Sequence, residues 1–127
     1  MHTEPSSRER GIAALRRGDA EAAVGLLTEA VRAQPEDAEA WSALGVAWCQ
    51  QQRLAEGVQA LQRAVGLNPS RAPLHFNLAR GLELTGQSEA ALQSYRRALE
   101  LDAEHAAAAQ AVRRLVSASA PAASDHS

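Results

Sequence analysis

The chain of 127 residues carries 13 basic residues, all of them arginine, and 15 acidic ones, for a formal net charge of −2. This length allows one domain or an elongated array of small units, and the nearly neutral charge argues against a dedicated nucleic-acid-binding protein. Aromatic residues make up only 3% of the chain and alanine is its commonest residue. That composition disfavours a β-sandwich or barrel and favours helices.

The sequence matches itself when it is shifted by 34 residues, and it does so over three successive units without an insertion. Small residues align with small residues, and large apolar residues align with one another. The clearest columns are Ala30, Ala64 and Ala98; Leu27, Leu61 and Tyr95; Ala23, Gly57 and Ala91; and Gly11, Gly45 and Ala79. This agreement predicts an array of three structural repeats.

Each unit is predicted to contain two helices. In the second unit, apolar and small residues recur at i, i+3, i+4 and i+7, which defines one helix face. That face consists of Trp41, Leu44, Gly45 and Trp48. A second face of the same kind runs over 57–65. The segment between them, 51–53, aligns with 17–19 and 85–87, and the glycine found in two of these segments suits a helix C-terminus that needs a left-handed residue.

These residues resemble the tetratricopeptide repeat, whose pattern is W-x2-L-G-x2-Y followed by A-x3-F, A and P. The second unit reads W-S-A-L-G-V-A-W and continues with Gly57, Leu61, Ala64 and Pro69. The first unit is the loosest match, because Arg10 stands where leucine is usual, a change that suits the more polar end of an array. The resemblance covers roughly residues 4–105. It implies an all-α, right-handed superhelical solenoid of three helix-turn-helix repeats with a C-terminal capping helix.

The expected boundaries follow from the repeat register. We expect a flexible N-terminus at 1–3, repeats at 4–37, 38–71 and 72–105, a capping helix at 106–117 and a disordered tail at 118–127. Ala109, Val112 and Val116 form the apolar face of the capping helix at i, i+3 and i+7. The tail carries too little apolar surface to offset the entropy of ordering it.

The resemblance implies that the first helix of each pair lines a concave surface and that the chain is a non-catalytic module for binding another protein. Helix geometry of about 100° per residue then selects the side chains opposite the packing face. The predicted groove residues are Arg8, Ile12, Arg16, Ser42, Val46, Cys49, Phe76, Asn77, Arg80, Glu83, Leu84, Gln110 and Arg114. Apolar residues mixed with arginines suit a peptide or helical segment of a partner that carries apolar and acidic side chains.

Phe76 stands out among the aromatic residues. Trp41, Trp48 and Tyr95 occupy packing columns, whereas Phe76 is placed away from the packing face. We therefore expect the partner segment to be anchored near Phe76 and Arg80. The alternative is that the arginines form an ordinary solvated surface and that the apolar groove residues pack against adjacent helices.

One known ligand class can be tested against the sequence. Tetratricopeptide domains that bind chaperone tails hold the terminal carboxylate with lysine, arginine and asparagine side chains from three repeats. The corresponding positions here are Arg8, Ile12, Ala43, Pro73 and Asn77. Only Arg8 suits that role. The sequence therefore predicts that a chaperone C-terminal tail is not the ligand.

No catalytic, cofactor or metal site is predicted. The four histidines show neither i, i+3 nor i, i+4 spacing, and His75 shares the column of Trp41, so it is expected to pack inside its own unit. Cys49, the single cysteine, has no informative spacing to a histidine. Phosphate-binding, dinucleotide-binding, zinc-protease and C-x-x-C motifs are absent from the sequence. An enzyme is therefore not expected.

Nucleic acid and membranes are not expected as partners. The arginine pairs at 96–97 and 113–114 lie among acids and lack the alternating aromatic residues that stack on bases. No stretch approaches 18 apolar residues, and the start of the chain does not resemble a secretion signal, so we expect a cytoplasmic protein. Two other functions stay open: a self-assembling scaffold that forms homo-oligomers, and a regulatory interaction domain of a larger multi-protein or enzyme system.

Overall fold

The computed structural model describes residues 4–119, and these residues form helices and turns without a strand. The all-α prediction is confirmed. Seven helices follow one another: α1 Ser7–Arg16, α2 Ala20–Ala33, α3 Ala38–Gln50, α4 Leu54–Leu67, α5 Ala72–Leu84, α6 Ser88–Leu101 and α7 Ala106–Ser119.

The helices are arranged as three pairs and one additional helix. Each helix packs against the next one in the chain, and the first helices of the pairs also contact one another, α1 with α3 and α3 with α5. The turns within the pairs are short, so the two helices of a pair are antiparallel neighbours. One layer of the solenoid is therefore formed by α1, α3 and α5, and the other by α2, α4 and α6.

The aligned columns of the sequence are the contacts that hold the pairs together. Leu27, Leu61 and Tyr95 occupy one column, and all three are almost completely inaccessible to solvent, with at most 1% of the residue surface exposed. Gly45 and Gly57 face each other across α3 and α4, where a Cβ on Gly45 would lie 2.8 Å from the carbonyl oxygen of Gly57. Small residues recur in these columns because the two helix backbones come that close.

The turn inside each pair has the same backbone conformation in all three units. Gly18, Gln52 and Gly86 occupy equivalent positions, and their φ angles are +82°, +65° and +81°. Glycine adopts this left-handed region without a steric penalty, whereas glutamine does not. The prediction of a left-handed residue at this position is confirmed, and the second unit achieves it with a strained residue.

Replacing Gln52 with glycine is expected to raise the free energy of unfolding by about 0.5–1 kcal/mol, because relief of the strain outweighs the extra flexibility of the unfolded chain. Urea denaturation followed by circular dichroism measures the change. The matched control is Gln51→Gly, since the φ angle of Gln51 is −86° and glycine brings no relief there. A gain in stability at position 51, or a loss at position 52, would contradict this account of the turn.

The additional helix continues the repeat register, since α3, α5 and α7 begin 34 residues apart. It extends to Ser119, two residues beyond the expected end at 117, so the assignment of Ala118 and Ser119 to a disordered tail is wrong. Both residues continue the helix, and the Ser119 hydroxyl donates a hydrogen bond to the carbonyl oxygen of Val116 at 3.2 Å. The rest of the expected tail, 120–127, and the expected flexible N-terminus, 1–3, lie outside the described residues.

Candidate functional site

Three adjoining clefts run along the layer of first helices and continue onto α7. The first, between α1, α3 and α5, has a volume of about 310 Å³, and the central one, between α3 and α5, about 250 Å³. The third, between α5, α6 and α7, measures about 440 Å³. Val46 and Asn77 are shared by the first two clefts, and Arg80 and Leu84 by the last two. We call this continuous surface the groove.

Most of the residues predicted from the sequence are brought together in the groove. Those that line it are Ile12, Ser42, Val46, Cys49, Phe76, Asn77, Arg80, Glu83, Leu84, Gln110 and Arg114. The structure thus collects side chains from α1, α3, α5 and α7 on one surface, as the repeat register predicts.

Two predicted residues do not line the three clefts. Arg8 lines a separate cleft beside Ser6 and Gln34, and its guanidinium lies 3.3 Å from the carboxylate of Asp37. Arg16 is the exposed last residue of α1. Both residues lie at the ends of α1, outside the lining of the three clefts, and their assignment to the groove stays a prediction. Arg8 was also the one residue that suited a chaperone-tail clamp, and it is already engaged by an acid.

Ser42 and Cys49 form the floor of the groove and are largely inaccessible to solvent, with 3% and 7% of their surfaces exposed. The Ser42 hydroxyl accepts a hydrogen bond from Asn77 Nδ2 at 2.9 Å, which ties α3 to α5. Burial raises the pKa of the Cys49 thiol above its ordinary value, so it stays protonated at neutral pH and is a poor nucleophile. Both residues therefore shape the groove and leave ligand contact to their neighbours.

Phe76 is packed more tightly than the sequence indicated. Its ring centroid lies 5.5 Å from that of Tyr95 and 4.7 Å from that of His105, and the Arg80 guanidinium carbon lies 5.8 Å from the ring centroid. The expectation that Phe76 stands away from the packing surface is wrong, because Tyr95 of α6 and His105, just before α7, pack against its ring. Phe76 lines the third cleft as a partly buried wall.

Glu83 and Arg114 form an internal connection between α5 and α7. Arg114 donates from Nη1 and Nη2 to the two carboxylate oxygens of Glu83, at 2.7 and 2.9 Å, and the Tyr95 hydroxyl donates to Oε1 at 2.6 Å. The hydrogen bond from Arg114 is the largest cause that lowers the pKa of Glu83. Stability from this carboxylate is therefore complete above its unfolded pKa near 4.5 and disappears as the pH falls through the lower folded value.

Some residues that line the central cleft were not predicted from the sequence. Gln52 comes from the turn after α3, Leu61 from α4 and Gly81 from the inner side of α5. A signal for Leu61 was present, because its column is apolar in every unit, but that signal indicated only packing. Gly81 brings α5 close to α4, since a Cβ there would lie 2.7 Å from Leu61 Cδ1.

Two polar ring nitrogens in equivalent positions, on His75 and Trp41, make hydrogen bonds within their own units. His75 packs inside its unit as predicted, with 8% of its surface exposed and Nε2 donating to the carbonyl oxygen of Pro69 at 2.8 Å. Trp41 makes the equivalent bond to Pro35 at 2.7 Å. Over residues 4–119, no three histidine, cysteine, aspartate or glutamate side chains come together as a metal site would require.

Among the residues that the structure describes, none of the helices has both the length and the apolar composition needed to cross a membrane.

The comparisons with known proteins agree with this architecture. A family model described as tetratricopeptide repeat matches residues 8–72 and 51–106. The chain belongs to the tetratricopeptide repeat family.

Curated relatives are much longer than this chain. The PEX5-related protein of Homo sapiens is 28% identical over 102 residues, which cover 76% of this chain and 16% of that protein. The cellulose synthase operon protein C of Escherichia coli K12 is 43% identical over 63 residues, 50% of this chain and 5% of that protein. The tetratricopeptide repeats described here thus correspond to a small part of each relative.

A solved structure has the same fold. The first tetratricopeptide domain of Spaghetti (RPAP3), bound to the HSP90 peptide SRMEEVD, superposes with a TM-score of 0.84 at 21% identity. The alignment covers 88% of this chain and 91% of that one. This similarity confirms the solenoid of tetratricopeptide repeats.

Proposed function

We propose that the chain is a non-catalytic interaction module whose groove binds a peptide or helical segment of a partner protein. The observation that carries this proposal is the continuous groove, which is lined mainly by side chains of α1, α3, α5 and α7. Leu84 lies at its rim with 56% of its surface exposed, although leucine is a large apolar residue. Apolar side chains exposed beside a cleft are typical of surfaces that bind a partner.

The family supports a protein partner, and the side chains of this chain indicate what kind of partner it is. The RPAP3 domain was solved with an HSP90 peptide, but here Arg8 is paired with Asp37. Of the other clamp positions, Ile12, Ala43 and Pro73 have no side-chain donor, and Asn77 donates to Ser42. The proposed ligand is therefore an internal segment or an end of different chemistry. A cytoplasmic location and a role inside a larger enzyme system stay predictions.

The test uses two exposed leucines that differ in position. Random 12-residue peptides displayed on phage are selected on the full chain, and the affinities of synthetic versions are measured by isothermal titration. Leu84→Glu places a charge at the groove rim and is expected to weaken binding by more than tenfold, the equivalent of about 1.4 kcal/mol. Leu67→Glu is the matched control, because Leu67 is exposed at 38% at the end of α4, in the other layer.

Equal affinity for the wild-type chain and the Leu84→Glu variant, or an equal loss in both variants, would refute the groove as the binding surface. Circular dichroism of the two variants verifies that both substitutions leave the helices intact.

The alternative of end-to-end assembly through α7 is disfavoured by a residue in the repeat register. Arg113 occupies the column of Gly11, Gly45 and Ala79, where the partner helix approaches most closely. At Gly45 even a Cβ would lie 2.7 Å from Leu61 Cγ. An arginine in this column keeps another helix from docking on α7 as α4 docks on α3, so assembly of copies through such a contact is disfavoured.

A further inference from the structure

The central cleft of the groove differs in character from the clefts on either side of it. Its floor is formed by Leu61, which is 1% exposed, and by Cys49. Val46 and Leu84 supply apolar walls, and Arg80 lies at the edge toward the third cleft. The volume of about 250 Å³ is below the roughly 300–1,000 Å³ of sites for small molecules. This cleft therefore suits a single large apolar side chain.

The charges around this cleft are not balanced. Glu39 lies 3.7 Å from Arg71, and Glu83 is held by Arg114 at 2.7 Å, so the groove acids near α5 already have cationic partners. No ion pair within 4 Å among the described residues includes Arg80. Arg80 is also the only charged side chain that lines the central cleft within the described part of the chain. The cleft thus presents one positive charge beside an apolar floor.

Arg80 is exposed, and its guanidinium lies next to an aromatic ring. Its guanidinium carbon lies 5.8 Å from the ring centroid of Phe76, and a cation over an aromatic face is attracted to it. Phe76 is in turn held by Tyr95 and His105. A guanidinium placed in this way loses less freedom when it binds a carboxylate, to which it can donate two hydrogen bonds.

A neutral hydrogen-bonding group, the amide of Asn77, lines the same cleft one helical turn before Arg80 on α5. Asn77 donates from Nδ2 to the Ser42 hydroxyl at 2.9 Å, so its amide is held in one orientation. Its Oδ1 can then accept a hydrogen bond from a backbone N–H of the ligand. The cleft therefore offers three matching contacts to a peptide. Its apolar floor suits one apolar side chain, the Asn77 amide suits a backbone N–H, and Arg80 suits a nearby carboxylate.

From this arrangement we infer the chemistry of the ligand: an acidic peptide segment that inserts one large apolar side chain into the central cleft and pairs a neighbouring carboxylate with Arg80. This inference rests on the proposed function of the groove and specifies which part of the groove selects the ligand. The segment belongs to a partner protein.

The test uses the displayed 12-residue peptides selected on the full chain. The enriched sequences are expected to share a leucine, methionine or phenylalanine with an aspartate or glutamate within a few residues. For one synthetic peptide, Arg80→Gln is expected to weaken binding about tenfold, the effect of losing a charge-assisted hydrogen-bonded pair. Changing the acid of the peptide to its amide should cause the same loss, with no further loss when both changes are combined.

Arg63→Gln is the matched control, because Arg63 is also exposed and its guanidinium carbon lies 5.1 Å from the ring centroid of Trp41, but it belongs to the other layer. Its affinity for the peptide should equal that of the wild-type chain. Raising the salt concentration should weaken wild-type binding more than binding by Arg80→Gln, because the proposed pair is exposed to screening.

The experiment distinguishes a failure of the acidic-ligand inference from a failure of the proposed function. Peptides that lose affinity for Leu84→Glu but bind Arg80→Gln as tightly as wild type would overturn the acidic-ligand inference and leave the groove function standing. Enrichment of neutral or basic peptides would overturn the inference as well. Peptides indifferent to both substitutions, or a selection that enriches no peptide, would contradict the proposed function itself.

Discussion

Replacing Tyr95 with alanine is expected to lower the free energy of unfolding by about 3–5 kcal/mol, the usual cost of removing a buried aromatic side chain. Tyr95 is 1% exposed and is among the largest fully buried side chains of the chain. It contacts the ring of Phe76, and its hydroxyl donates to Glu83. The substitution therefore removes the centre of the cluster that joins α5, α6 and α7.

Tyr95→Phe separates the two contributions, because it keeps the ring and removes only the hydrogen bond to a charged acceptor. We expect a loss of about 1.5–3 kcal/mol. Urea denaturation followed by circular dichroism measures both variants. A loss below 1 kcal/mol for Tyr95→Ala would contradict the packing described here, and an equal loss in both variants would show that the ring contributes nothing.

Replacing Gly45 with alanine is expected to destabilise the chain by about 2–3 kcal/mol, the cost of forcing an extra methyl group into a packed interface. The new Cβ would lie 2.7 Å from Leu61 Cγ and 2.8 Å from the carbonyl oxygen of Gly57. The oxygen belongs to a helix backbone and cannot move aside alone, so α3 and α4 must separate. A loss of stability would be informative, because glycine to alanine inside a helix otherwise stabilises it by about 1 kcal/mol.

The matched control is Gly25→Ala in the interior of α2, where nothing lies within 4 Å of the added Cβ. It is expected to stabilise the chain by about 0.5–1 kcal/mol. Chemical denaturation of both variants under the same conditions measures the contrast. A Gly45→Ala variant as stable as wild type would refute the close approach of α3 and α4.

Much of the fold could be predicted because the repeat places equivalent residues in equivalent surroundings. The column of Leu27, Leu61 and Tyr95 identified the buried contacts, and the aligned turns identified the left-handed residue. The same register placed the side chains of α1, α3 and α5 on one surface. These predictions succeed because period and helix geometry are properties of the chain alone.

The contacts of individual groove residues could not be predicted in the same way. Helix geometry shows which side of α5 carries Phe76, but it does not show that Tyr95 and His105 pack against its ring. The ion pair between Glu83 and Arg114 joins residues 31 positions apart, and the hydrogen bond between Ser42 and Asn77 joins residues 35 apart. Both depend on the angle and distance between successive first helices, which a column alignment does not contain.

The ion pairs of the structure change the binding surface that the sequence predicts, because they decide which groove arginines are available to a ligand. Arg8 and Arg114 are both arginines that the sequence placed in the groove, and both are engaged by acids of the same chain. Arg80 is also an arginine and occupies the same column as Arg114, 34 residues earlier, but it forms no ion pair within 4 Å among the described residues. Only the three-dimensional arrangement of the side chains distinguishes Arg80 from the two paired arginines.

The binding of a partner segment in the groove is tested most directly by nuclear magnetic resonance. A selected peptide is titrated into the ¹⁵N-labelled chain, and the shift of every backbone amide is followed. We expect the largest shifts in α3, α5 and α7, centred on Val46, Asn77 and Leu84. Smaller shifts are expected near Leu61 of α4 and Tyr95 of α6, which line the clefts, and the rest of α2, α4 and α6 should change little. Shifts concentrated on α2, α4 and α6 would contradict the account, because those helices form the opposite layer.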